Sequence, residues 1–129
     1  MADLTNYAEN AFANALRGGG NGTGVTAPSA LYLQLHTGDP GEDATSNVSA
    51  ETTRVEIEFG AASDGTITST TEQEWASWSA GSESITHASV WDAASAGNPW
   101  FKGDLNSSVS ITDGNAVRFQ AGQVTFTVA

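Results

Sequence analysis

Two histidines are the side chains in this sequence best suited to acid–base or metal chemistry. His36 and His87 lie in two separate segments that alternate like β-strands. They form neither a His-x-x-x-His pair nor another paired spacing typical of zinc ligands. His36 falls on the side of its segment opposite Leu31, Leu33 and Leu35, so we expect its ring to be exposed. We therefore predict no catalytic histidine and no metal site.

An acidic run after His36 is the second candidate for ligand chemistry. Asp39, Glu42 and Asp43 could offer oxygen atoms to an ion, but they lack the alternating positions and the closing glutamate of an EF-hand loop. We interpret them as a solvated acidic turn within a long loop, Asp39 to Thr53, that is a candidate for function. The serines do not occur in a Gly-x-Ser-x-Gly motif. The sequence thus predicts a non-enzymatic protein without a cofactor.

Four tryptophans are the remaining side chains with a chemical use. Indole rings can stack on sugars, fill a core or anchor an interface. Core packing and subunit contact are the favoured roles in a small domain without cysteine. Trp78 and Trp100 are the candidates for an interface, and if they are exposed they could instead bind a host-surface glycan.

Charge limits the classes of partner. Fifteen Asp and Glu residues stand against four Lys and Arg, which gives a formal net charge of -11. Nucleic-acid binding requires clustered Lys and Arg, so we exclude it. No apolar run approaches the length of about 20 residues needed to cross a bilayer, so we expect no membrane insertion. Carboxylate-rich surfaces also suit high salt, which suggests a halophilic source.

The N-terminal segment, residues 1–17, has the three- and four-residue apolar spacing of a short amphipathic helix, with Asp3 as its expected cap. Such a short helix must dock on the domain or on another subunit. Residues 18–29 contain five glycines and predict a flexible link. The candidate interface residues on the helix are Leu4, Tyr7, Phe12 and Leu16.

Residues 30–129 alternate repeatedly between apolar and polar side chains, with Gly, Asp, Asn and Ser between the alternating segments. Seven or eight short strands predict one mainly β domain, either an antiparallel β-sandwich of jelly-roll type or a compact barrel. The segments around His87 and Trp100 are expected to form a hairpin. Asp113-Gly114 predicts a tight turn that joins a second pair of strands.

Several segments together resemble small structural proteins from the virions of tailed viruses and prophages, a family described as head-decoration or tail fibre proteins. The matching segments, in chain order, are Leu4 to Asn10, Leu31 to Gly41, Arg54 to Ala62, Ile85 to Asn98 and Phe119 to Val128.

The resemblance implies a non-enzymatic protein of the virion that assembles as a small homo-oligomer. Our leading hypothesis is a decoration or turret-type protein on the capsid surface, bound to the major capsid protein or to other virion subunits. A tail fibre or other tail component is the alternative, and a host-surface carbohydrate-binding module is a further one. The acidity of the chain differs from that of the relatives and points to a virus of a halophilic host.

Overall fold

The computed structural model describes residues 2–128, so Met1 and Ala129, the outer ends of the predicted segments, lie outside the described residues. One helix and nine strands are found in this range, and all strand pairs are antiparallel. The elements are β1 (Ala2–Leu4), α1 (Asn6–Ala15), β2 (Leu31–His36), β3 (Val55–Ile57), β4 (Thr66–Thr68), β5 (Gln73–Trp75), β6 (Glu83–Trp91), β7 (Pro99–Ile111), β8 (Val117–Phe119) and β9 (Thr125–Thr127).

A five-stranded sheet in the order β1-β7-β6-β2-β3 is the larger layer, and β4-β9 and β5-β8 form two small sheets. The prediction of a mainly β fold with antiparallel sheets and one N-terminal helix is confirmed. The barrel alternative is wrong, because the sheets of residues 2–128 do not close into a ring.

The core lies between the large sheet and the two small ones. Leu33 and Leu35 of β2 are buried on the inner face, as their alternation predicts. Side chains from β5, β8 and β9 meet them there, namely Trp75, Val117 and Phe126. The ring of Phe126 stacks on Phe101 of β7 with a centroid distance of 5.0 Å. The core therefore joins strands that are distant in sequence.

The outer face of β2 is covered as well, which makes the expected exposure of His36 wrong. His36 is fully buried because residues 37–49 fold back over the sheet, where Thr37 N donates to Asn47 O at 2.8 Å and Ser49 N donates to Leu35 O at 3.0 Å. Alternation assigned His36 to the correct side of the strand, but it could not show that a polar loop covers that side.

The N-terminal segment begins with a strand before its helix. β1 pairs with β7 in the register Leu4↔Phe101, and α1 begins only at Asn6. The helix cap is Thr5, whose Oγ1 accepts a hydrogen bond from Ala8 N at 3.3 Å, so the expected cap at Asp3 is wrong. The backbone of Asp3 is extended because it pairs with Lys102.

Two Asp-Gly dipeptides both form turns, but only one of these turns closes a hairpin. Asp64 and Gly65 both have positive φ, 50° and 77°, and close a hairpin in which Ser63 and Thr66 exchange backbone hydrogen bonds. Asp113-Gly114 also forms a turn, with Gly114 at φ 88°. The strand after it, β8, pairs with β5 instead of with β7, so this turn leads the chain from one layer to the other.

Candidate interaction surface

The candidate site lies where the N-terminal segment contacts β7. Residues 2–16, here called the arm, are fixed by backbone hydrogen bonds at the junction of β1 and α1. Thr5 N donates to Trp100 O at 3.1 Å, and Asn6 N donates to Glu42 O at 3.0 Å. Thr5 Oγ1 donates to Pro99 O at 2.5 Å. We call the surface formed by Pro99, Trp100 and Glu42 the seat of the arm. It lies at the edge of β7 that pairs with β1.

Trp100 forms the apolar part of this seat. Its ring meets Tyr7 edge-on at a centroid distance of 5.3 Å, and Phe12 at 6.2 Å. Ala8 lies between these two residues on the same side of α1 and is fully buried. Edge-to-face aromatic pairs of this kind contribute about 0.5–1.5 kcal/mol each beyond burial. The helix is thus docked by its aromatic side chains.

Asp92 holds the Trp100 ring from the other side. Its Oδ2 accepts hydrogen bonds from Trp100 Nε1 at 3.3 Å and Asn98 Nδ2 at 3.2 Å, and its Oδ1 accepts one from Asn98 N at 2.7 Å. Partial burial opposes ionisation, but these hydrogen bonds outweigh it and lower the pKa of Asp92 below its ordinary value. An ionised carboxylate therefore orients the indole ring.

Opposite charges flank the seat. Lys102 Nζ lies 3.2 Å from a carboxylate oxygen of Glu42 and 4.0 Å from one of Asp3. Lys102 is the single lysine of the chain and is largely buried. The carboxylates are exposed, so the ion pairs position the arm more than they stabilise it.

Several apolar side chains of the arm remain open to solvent after docking. Leu16 is 83% exposed, Tyr7 40% and Phe12 38%, and Val25 in the following link is 36% exposed. A groove of about 430 Å³ runs beside Tyr7 and Trp100 and is closed on one side by residues 26–29. The arm therefore presents an apolar surface next to an open groove.

Most residues predicted for an interface come together here. Leu4, Tyr7, Phe12, Leu16 and Trp100 all belong to the arm or its seat. Sequence reasoning missed the residues that build the seat, because Thr5, Asp92 and Pro99 act through hydrogen bonds between distant segments. Only the Ser/Thr preference for helix caps could have indicated Thr5.

Trp78 lies apart from this site. It is 1% exposed, and its Nε1 donates to Gly81 O at 3.0 Å within the main core. Trp100 is 6% exposed, so neither ring has the exposure that stacking on a glycan requires. Trp78 fills the space between the layers, and the arm covers Trp100. The hypothesis of glycan binding depended on an exposed indole ring at one of these two positions, and neither position provides one.

Metal binding and membrane insertion are two other functions on which the arrangement of the side chains bears. No group of three His, Cys, Asp or Glu side chains within residues 2–128 is placed to hold a metal ion. No helix in this range is long and apolar enough to cross a membrane.

Comparison with known proteins supplies the family. The sequence model of podophage GP4 fiber I protein gp80 matches residues 3–127, which include the seat, the strands β2 to β9 and all of the arm except its first residue. No curated protein matches the chain. The family match supports the tail-fibre alternative better than the capsid-decoration hypothesis, and it does not support a halophilic host. The chain belongs to the podophage GP4 fiber I protein gp80 family and is a non-enzymatic tail-fibre component of the virion.

Proposed function

We propose that the arm attaches this fibre protein to a neighbouring subunit of the virion, while the β layers form the body of the fibre unit. The observation that supports the proposal is the placement of exposed apolar side chains. Tyr7, Phe12, Leu16 and Val25 are four of the five large hydrophobic residues that are exposed in the described chain, and the fifth is Val128. Exposed apolar side chains that recur within one segment of the chain, residues 7–25, indicate an interaction site.

The arm is suited to attachment because its seat is built separately from the main core. The core cluster contains Leu33, Trp78 and Phe126 but no residue of the arm. A partner can therefore cover Leu16 and the outer edges of Tyr7 and Phe12 without disturbing the packing between the layers. The fibre assignment favours a tail subunit over the major capsid protein as that partner.

A charge placed on the apolar surface of the arm tests this role. Leu16→Asp should reduce incorporation of the chain into assembled virions at least tenfold, because it puts a carboxylate into an apolar contact. Incorporation is measured by quantitative mass spectrometry of purified particles. Leu16 is 83% exposed, so the isolated variant should keep its thermal stability.

Asn10→Asp is the matched control, because Asn10 is exposed in α1 and lies more than one turn from Leu16, on a different side of the helix from Phe12. It adds the same charge away from the apolar surface and should leave incorporation unchanged. Equal incorporation of both variants at the wild-type level would refute the attachment role of the arm.

A further inference from the structure

The arm and its seat need not belong to the same copy of the chain. We propose that neighbouring fibre subunits exchange their arms, so that residues 2–16 of one copy occupy the seat on β7 of another. This inference rests on the proposed function, because it names a second copy of this chain as the partner of the arm.

The seat already specifies its occupant. It offers the carbonyl oxygens of Pro99, Trp100 and Glu42 to the donors of Thr5 and Asn6, and the Trp100 ring to the aromatic side chains of α1. A second copy brings an identical arm, so every one of these contacts can form between chains as it does within one chain. No new complementarity is required.

The link does not determine which seat the arm occupies. Residues 18–29 are mostly exposed, and within the described part of the chain their hydrogen bonds go only to the link itself and to the arm. Asn21 N donates to Gly18 O at 2.9 Å, and Thr23 N donates to Asn14 O at 3.1 Å. Twelve residues can extend over roughly 40 Å, which is enough to reach an adjacent subunit.

Exposed apolar surface favours exchange over a closed monomer. When the arm sits on its own body, Leu16 and Val25 remain open to solvent. In an exchanged pair, the ends of the arms and the links pass between the two bodies, where these residues can cover one another. A second copy therefore buries apolar surface that a closed monomer leaves in water.

Charge at the seat is compatible with exchange, and the same ion pair forms whether the arm comes from one chain or from two. Two chains of net charge -11 repel each other over most of their surfaces. At the seat, the cationic Lys102 faces the acidic Asp3 of the arm. An exchanged arm therefore brings opposite charges together at the point where the two chains meet.

Cysteine trapping tests the exchange directly, since the chain contains no cysteine of its own. Asp3 and Lys102 are directly opposed across the β1–β7 ladder, a spacing that permits a disulfide. Full-length chains that carry Asp3→Cys are mixed with differently tagged chains that carry Lys102→Cys. The mixture is unfolded, refolded together and oxidised in air. We expect a mixed disulfide at twice the 13.3 kDa chain mass as the main product.

Random cross-linking is measured with a control mixture in which Thr68→Cys replaces Lys102→Cys, because Thr68 is exposed in β4 and does not pair with the arm. Thermal unfolding shows whether each variant folds. If Lys102→Cys does not fold, Leu4→Cys with Phe101→Cys tests the next opposed pair.

A mixed disulfide no more abundant than in the control, together with closure within one chain in the Asp3→Cys/Lys102→Cys double variant, would overturn the exchange. The proposed attachment role would then still stand if Leu16→Asp lowers incorporation, with a different virion protein as partner. If chains exchange but Leu16→Asp is incorporated normally, the exchange stands and the attachment role fails.

Discussion

At the scale of single residues, His36 shows how a titratable side chain serves packing instead of catalysis. Its Nδ1 donates to Ser46 O at 2.9 Å, so its Nε2 must accept from Ser89 Oγ at 2.7 Å. Ser89 Oγ in turn accepts from Trp91 Nε1 at 2.8 Å. Protonation would turn His36 Nε2 into a donor, so the Ser89 hydroxyl would lose the acceptor of its own proton.

The stability of the protein should therefore fall in mild acid. Burial lowers the pKa of His36 below its ordinary value of 6.5, although the Ser46 carbonyl opposes that shift. The unfolded chain thus binds this proton more readily than the folded chain. The His36 contribution is complete above pH 6.5 and is lost as the pH falls from 6.5 through the lowered pKa. Denaturant titration between pH 7.5 and 5 measures this slope.

His36→Gln should flatten the slope, since the amide can donate to Ser46 and accept from Ser89 without titrating in this range. We expect the variant to lose about 1–3 kcal/mol at pH 7.5 from imperfect geometry. His87→Gln leaves the His36 hydrogen bonds in place and removes only the charge repulsion by which His87 helps to lower the pKa of His36, so it should retain most of the slope. A His36→Gln variant with the wild-type pH dependence would show that other groups cause it.

At the scale of elements, the strands depend on turns whose backbone only glycine adopts readily. Gly65 has φ 77°, and a Cβ atom at this position would lie 2.6 Å from Val128 O. Its own carbonyl accepts a hydrogen bond from Val128 N at 2.9 Å. The turn therefore fixes both the β4 hairpin and the pairing of β4 with β9.

Gly65→Ala should lower the free energy of unfolding by about 2 kcal/mol or more, because a positive φ and a backbone clash act together. Urea denaturation measures the loss. Gly24→Ala is the matched control, since nothing lies within 4 Å of a Cβ atom there. Equal stability of the two variants would mean that the Val128 carbonyl moves away without cost.

At the scale of the whole molecule, the arm joins the edge of the large sheet through β1 but contributes no residue to the core cluster. We propose that residues 30–129 fold without residues 1–17, with residues 18–29 as the link. This is supported by a core cluster that contains no residue of the arm. Removal of residues 1–17 would also remove β1 and the side chains that cover Trp100, and both losses would destabilise the remaining domain.

Deletion of residues 2–17 should leave one cooperative thermal transition with a lower Tm. The two aromatic pairs and the cover on Trp100 together contribute about 2–4 kcal/mol. Differential scanning calorimetry and near-UV circular dichroism measure the outcome. A chain without a cooperative transition would show that the arm is part of the folding unit.

Net charge is also a property of the whole molecule. With a charge of -11 and four cationic side chains, repulsion between carboxylates exceeds the attraction in the ion pairs. Raising NaCl from 10 mM to 0.5 M should therefore raise the Tm, because salt screens this repulsion. An unchanged or lower Tm would mean that the ion pairs of Lys102 and Arg118 dominate instead.

The sequence by itself determined the mainly β class, the inner face of β2 and the short N-terminal helix. These features follow from periodicity and turn chemistry, which are local. It also indicated apolar residues of the arm, because Phe12 and Leu16 are four residues apart and fall on neighbouring positions of a helix surface.

Only the tertiary structure decided which residues are covered and by what. The loop over His36, the seat around Trp100 and the pairing of β8 with β5 depend on contacts between distant segments. A period of two assigns a side chain to one face of a strand, but burial of that face depends on the rest of the chain. That is why Trp78 fills the core and Trp100 receives the arm, whose exposed side chains form the attachment surface that we propose.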